Sequence, residues 1–436
     1  MSINPLHTRR DCLGILSAIA LVPAIGQGAR RRDWKTVQAV LDEFVRERSA
    51  PGVALAICHA GEEPSYPHSG TVAFDSTQAF DADSICRAYS MTKNVTRIAT
   101  LLLVEDGRLT LDQAVTDYLP EFRNLRVAID PAKGIDSRPA EKVMTIRHLI
   151  TNSSGLANWT PGSDSGDELH RLYRERGITP GNFGTGLKRP EYGPQAISME
   201  EMVRRVAELP LAHDPGTVLR YSIGFDVMAL IVERVTGKPY GTFLHERLWG
   251  PLRMDSTGFQ VARKDAACLT TNYDTTGNNA TTVPGAKSDP RLPPKWGIVD
   301  DRATSDTLAP PRLLAGGASL LSTARDFLRY TRMLQNDGAL GKARVMKIGT
   351  ARLATGNINP PGIAEPQDSG SRALMRGAPI IPPGTVGGGG AAGTLFWFDR
   401  PRNLAAVFMV QVMYGSPARS PFQKRLFAAI DADVAA

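Results

Sequence analysis

Cysteine is scarce, at four in 436 residues, which excludes a disulfide-built scaffold. Histidine is sparse too, at seven, and shows neither H-E-x-x-H nor any other metal-ligand spacing, so no metal is expected. There is no G-x-S-x-G, which removes the nucleophile elbow of the α/β-hydrolases. No P-loop occurs, and no G-x-G-x-x-G opens a helix after a strand, so no nucleotide or other cofactor is implied. Charge of one sign is not concentrated: 51 basic residues face 44 acidic ones, for a net +7. The one tight basic run is Arg30-Arg31-Arg32, so nucleic acid is not an expected partner.

What remains is an ordinary globular composition, 42% hydrophobic and 22% charged, long enough for two or three domains. The N-terminus reads as an address. Arg9-Arg10 stands directly before an apolar run, Leu13 to Ile25, that is too short to span a bilayer comfortably. Small residues follow, with candidate cleavage points after Ala24 and Ala29, as in twin-arginine export signals. A periplasmic or secreted location is therefore expected, with residues 1–29 removed and no stable membrane insertion of the rest. Removal leaves Cys58, Cys86 and Cys268, an odd set expected to be mostly buried free thiols.

Val37, Val40, Leu41, Phe44 and Val45 fall at helical spacing after a candidate cap at Asp33. Val53 to Cys58 reads as a buried strand, with Thr71 to Phe74 as its candidate partner. A long helix is predicted from Ser90 to Asp106. Near the C-terminus, 394–399 and 404–412 read as strands joined by a turn, and Phe422, Leu426, Phe427 and Ile430 mark a terminal helix. The expected fold is α+β: an antiparallel sheet flanked by helices, built from both chain ends (33–88 and 315–436), with a mostly helical domain (89–314) inserted. Two long loops, near 157–197 and 270–312, suggest functional segments.

The chemistry begins at Ser90-Met91-Thr92-Lys93, where a serine stands three residues before a lysine at the start of a helix. That spacing puts both side chains on one helix face. Free N–H groups at the helix start favour negative charge developing there. A serine hydroxyl needs a base to become a nucleophile, and a lysine serves only if its pKa is lowered. A second group, Pro215-Gly216-Thr217 and Arg220-Tyr221-Ser222-Ile223-Gly224, puts a tyrosine in a polar turn before an apolar helix. The third is Gly387-Gly388-Gly389-Gly390-Ala391-Ala392-Gly393-Thr394, bare backbone leading into Leu395-Phe396-Trp397-Phe398. Such backbone permits close approach of a substrate and donation of N–H groups.

In this order the three groups resemble the serine β-lactamase and penicillin-binding-protein superfamily, class C-like, and most of all the family VIII carboxylesterases. The stretches 145–156 and 316–324, and Phe259 after Pro251-Leu252-Arg253-Met254, are similar to recurring family segments. The resemblance implies Ser90 as acylated nucleophile, Lys93 as its base, and Tyr221 as the group that passes the proton onward. It implies an oxyanion hole from the backbone N–H groups of Ser90 and Ala391, and substrate contacts at Ile223, Gly388 and Gly390. Two departures stand out. Ile223 replaces the asparagine of amide-cleaving relatives, and Gly388 stands where those relatives carry a cation and the esterases a tryptophan.

The expected activity is hydrolysis of small, neutral carboxylic esters through an acyl-Ser90 intermediate. Within the superfamily the alternative is a β-lactamase or D-amino-acid peptidase. The alternative of another functional class is a catalytically silent binding protein on the same scaffold. The oligomeric state is left open.

Overall fold

Apolar runs at opposite ends of the chain pair with each other. The computed structural model describes residues 32–158, 167–179, 193–275, 287–288, 292, 296–363, 372–373, 384–413 and 419–436. Its main sheet has six strands: β1 (Gly52–His59), β2 (His68–Gly70), β3 (Arg372–Ala373), β4 (Val386–Gly389), β5 (Leu395–Asp399) and β6 (Leu404–Met409). Their order across the sheet is β3-β4-β5-β6-β1-β2. β1 lies antiparallel to β6, from Ala54 opposite Met409 to His59 opposite Leu404.

Alternation along these strands divides the core in two. On one face Val53, Leu55, Ile57, Trp397, Ala406 and Phe408 pack under helices α1 (Lys35–Arg46) and α6 (Arg419–Ala435). On the other, Ala54, Ala56, Phe396, Phe398, Val407 and Met409 join a larger cluster. That cluster takes in helices α2 (Met91–Glu105), α3 (Ile146–Ile150), α4 (Gly224–Thr236) and α5 (Ala324–Gln335). α2 is the axis of this second layer: every residue from Met91 to Leu103 is buried.

Several elements differ from the sequence expectation. The partner of β1 is His68–Gly70 rather than 71–74. Gly70 turns the chain at φ +77°, and a Cβ there would lie 2.2 Å from the Pro51 carbonyl, so pairing ends at this glycine. Asp33 does not cap α1. The free amides of Thr36 and Val37 donate instead to the Asp433 carboxylate of α6, at 3.1 and 2.9 Å. The sheet is not wholly antiparallel, since β3 runs parallel to β4. The middle of the chain holds a three-stranded sheet, Asn272–Thr275, Trp296–Asp300 and Lys287–Ser288, besides its helices. A buried ion pair, Arg87 Nε to Asp300 Oδ2 at 2.5 Å, ties that sheet to the segment entering α2.

Cys58 and Cys86 are buried free thiols, and Cys268 is a half-buried one. The export segment, Cys12 and much of the 157–197 loop lie outside the described residues. Among the described residues no helix is long and apolar enough to cross a membrane.

Candidate active site

The residue before Ser90 carries an unusual backbone: Tyr89 has φ +44°. A non-glycine residue in the left-handed region costs energy and persists only where its surroundings hold it. Here the Tyr89 hydroxyl accepts from Asn272 Nδ2 at 2.7 Å, and its ring packs with Val299, Ala318, Ala391 and Ala392. The kink delivers Ser90 to the N-cap position of α2, yet its hydroxyl makes no capping bond. It shares a 2.5 Å hydrogen bond with the Tyr221 hydroxyl instead.

Tyr221 is set by a turn with its own supports. Arg220 N–H donates to the Asn152 carbonyl (2.7 Å), and Ser222 N–H to Asn152 Oδ1 (3.2 Å). Asn152 itself sits at φ +57°, a conformation asparagine tolerates better than most residues. Gly216, at φ +75°, lies against His148, where a Cβ would stand 2.6 Å from Nε2. Burial pushes the Tyr221 hydroxyl far above its ordinary pKa, with the Ser90 bond acting the other way.

Lys93 lies one turn into α2 and is 1% exposed. Its Nζ donates to the Gly317 carbonyl at 2.7 Å and stands 4.4 Å from the centre of the Tyr221 ring. Burial lowers its pKa to about 8, against an opposing pull from Asp226. A lowered pKa is what a lysine needs to take up a proton near neutral pH. Ser90, Lys93 and Tyr221 are thus brought together from two elements distant in sequence.

The glycine run forms β4 and its exit rather than a free loop. Gly390 presses on the segment that leads into Ser90: an added Cβ would meet the Ala88 carbonyl at 2.3 Å. Ala391 is next in the chain and packs beside Tyr89. Neither the Ser90 nor the Ala391 N–H has an acceptor among the described residues. Both amides are therefore available to a developing oxyanion. Gly388 faces Asn94, whose Nδ2 would lie 2.9 Å from a Cβ at that position. Ile223 is wholly buried in the core and caps the start of α4, so its side chain offers nothing polar to a substrate.

Two residues of this neighbourhood escaped the sequence reading. Asn94, the residue after Lys93, is 1% exposed with both amide atoms unpartnered. Asp226 is completely buried in the first turn of α4, and its Oδ1 accepts from Gly317 N–H at 2.9 Å. For Asp226 the available signal was an acid inside an otherwise apolar helical stretch, whereas Asn94, among Thr92, Lys93, Thr96 and Arg97, offered none. Among the described residues no group of His, Cys, Asp and Glu is placed to hold a metal.

Known proteins are similar to this chain in sequence and in fold. The protein is 32% identical over 272 residues to "Uncharacterized protein MT1414" of Mycobacterium tuberculosis, covering 62% of this chain and 59% of that one. It is 28% identical over 388 residues to "Esterase EstB" of Burkholderia gladioli, covering 87% of this chain and 90% of the relative. Among solved structures, "EstCE1, a hydrolase with promiscuous acyltransferase activity" superposes with a TM-score of 0.66 at 22% identity, over 91% of this chain and 97% of the other. The sequence model of the family described as Beta-lactamase matches residues 37–429, nearly the whole described chain, and the protein belongs to that family.

Proposed function

We propose that the protein is a serine hydrolase that cleaves small carboxylic esters through an acyl-enzyme on Ser90. The observation that carries this reading is the shared hydrogen bond between Ser90 and Tyr221, with a buried Lys93 beneath the tyrosine ring. In the acylation step Ser90 Oγ attacks the ester carbonyl carbon. Its proton moves to Tyr221 as the tyrosine proton passes to Lys93. The carbonyl electron pair goes to the oxygen, facing the Ser90 and Ala391 amides. Collapse expels the alkoxide, which takes a proton back through Tyr221. Water then repeats the sequence on the acyl-Ser90 ester.

Esters are preferred over lactams and peptides because two polar contacts are lacking. Ile223 supplies no amide, and Gly388 no cation to receive a carboxylate. The missing charge-assisted contact is worth about 1.5–3 kcal/mol and the missing neutral amide contact about 0.5–1.5 kcal/mol, together about two to three orders of magnitude in selectivity. The likeness to an esterase over nine-tenths of that enzyme's length supports the same choice. The test pairs a fluorophosphonate with a panel of p-nitrophenyl esters and a chromogenic cephalosporin. One adduct is expected, on Ser90 and abolished by Ser90→Ala, with ester kcat/KM far above that for the lactam. Labelling of another serine would remove the mechanism. Comparable turnover of ester and lactam would move the β-lactamase reading ahead. We also infer export to the periplasm or beyond, supported by Arg9-Arg10 before the apolar run.

A further inference from the structure

The proposed acylation step puts a proton, and with it a full positive charge, on Lys93 inside the protein. An isolated buried ammonium is expensive unless something compensates it. The segment Gly316-Gly317 runs between α2 and α4, where both helices hold it. Thr96 of α2 donates to the Gly316 carbonyl (2.6 Å), and Lys93 Nζ donates to the Gly317 carbonyl (2.7 Å). From α4, the Asp226 carboxylate accepts the Gly317 N–H (2.9 Å). The fit leaves no room: a Cβ on Gly317 would lie 2.4 Å from Asp226 Oδ2, and one on Gly316 2.3 Å from the Phe225 carbonyl. Asp226 Oδ2 has no hydrogen-bond partner, although the residue is fully buried.

We propose that Asp226 is a positioning residue for the base: it is the counter-charge of the Lys93 ammonium, and through Gly317 it fixes the carbonyl to which that ammonium donates. This rests on the acyl-Ser90 reading above. Lys93 and Asp226 make no direct ion pair; Gly317 lies between them, its carbonyl on the lysine and its N–H on the carboxylate. The arrangement suits a base that must be both neutral and charged within one turnover. A direct ion pair would lock the proton on the lysine. A neutral surround would make the protonated state too costly. The position of Asp226 in the first turn of α4 favours its anion, because the helix N-terminus carries partial positive charge.

The groups facing this pair are few. The Tyr221 ring lies over Lys93, and Asp226 acts electrostatically on the Tyr221 and Tyr240 hydroxyls. Arg97 lies a further turn along α2 and acts on Tyr330 of α5. Burial drives both members toward neutrality, to about 8 for Lys93 and about 6 for Asp226, while each pulls the other toward its charged form.

The experiment is the pH profile of kcat/KM for a short p-nitrophenyl ester with Asp226→Asn. The amide keeps an oxygen for Gly317 N–H and removes only the charge. Because Asp226 raises the lysine pKa, its neutralisation lowers it. The ascending limb, set by deprotonation of Lys93, therefore moves to lower pH by about one unit. The maximal kcat falls about tenfold, the equivalent of one pKa unit in the charged state, with KM unmoved. Asp226→Glu, which restores the charge, should move the limb back.

A limb that stays in place in a folded Asp226→Asn protein overturns the proposal, as does a move to higher pH. If the variants do not fold, the native protein carries the test. With 15N-lysine and 13C-carboxyl aspartate labels, the Lys93 and Asp226 resonances should each register the other's titration, and independent curves overturn the proposal. Fluorophosphonate labelling of Ser90 decides the acyl-enzyme reading separately, so the two failures are distinguishable.

Discussion

Gly390→Ala is the sharpest probe of the backbone half of the site. The added carbon would stand 2.3 Å from the Ala88 carbonyl and 2.4 Å from Thr394 Oγ1, where ordinary contact begins at 3.4 Å. The Thr394 hydroxyl can rotate aside, but the carbonyl cannot. Ala88 O accepts from Met91 N–H (3.1 Å) at the start of α2, and Ala88 N–H donates to the Leu320 carbonyl (2.8 Å). The segment at 390–391 therefore yields, by about 1 Å, the shortfall between the two contact distances. Ala391 N–H moves with it. A displaced oxyanion donor costs about 10²–10³ in kcat, because the bond matters most once the carbonyl oxygen carries charge. KM should change little. The overpacking should also cost about 1–3 kcal/mol of stability. The assay is steady-state ester hydrolysis alongside thermal unfolding. Gly349→Ala is the control, since nothing lies within 4 Å of its added carbon. A folded Gly390→Ala enzyme with native kcat would refute the assignment of Ala391 to the oxyanion hole.

Two further outcomes follow from features away from the reacting atoms. Asp433→Ala removes the acceptor for the Thr36 and Val37 amides and should lower unfolding free energy by about 1–2 kcal/mol, read by denaturant titration, with kcat intact below the transition. Arg9→Lys with Arg10→Lys should leave the full-length chain, signal uncut, in the cytoplasm, read by fractionation and intact mass; unchanged export would point to another route.

The elements read most directly from the sequence were those whose pattern is local. The helix behind Ser90 and the strands at 52–59, 395–399 and 404–409 announce themselves as apolar runs bounded by turn residues. What was hidden depends on partners far along the chain. Asp33 is a reasonable local cap, but Asp433 takes the amides because α6 lies against α1. The glycine run has no strand propensity, and it becomes β4 because β5 offers it a ladder from Gly389 opposite Leu395 to Val386 opposite Phe398. Ser90, Lys93 and Tyr221 could be singled out from the order of their motifs along the chain, and the fold brings them together. Asp226 was not, because a lone acid in an apolar helix has no meaning until Gly317 and Lys93 are folded against it.

The pairing of β1 with β6 has a consequence for how this chain is made. β1 emerges early from the ribosome, with Val53, Leu55 and Ile57 on one face and Ala54 and Ala56 on the other. Its partner from Leu404 to Met409 is translated only near the end. In the interval β1 can pair on one side alone, with the three residues of β2, and its other edge stands open. Open apolar edges recruit other chains, and contacts of such long sequence separation form slowly. Nascent chains stalled before residue 404 should therefore need a chaperone to stay soluble. Overexpression should yield more soluble protein when synthesis is slowed or cooled than when translation is fast.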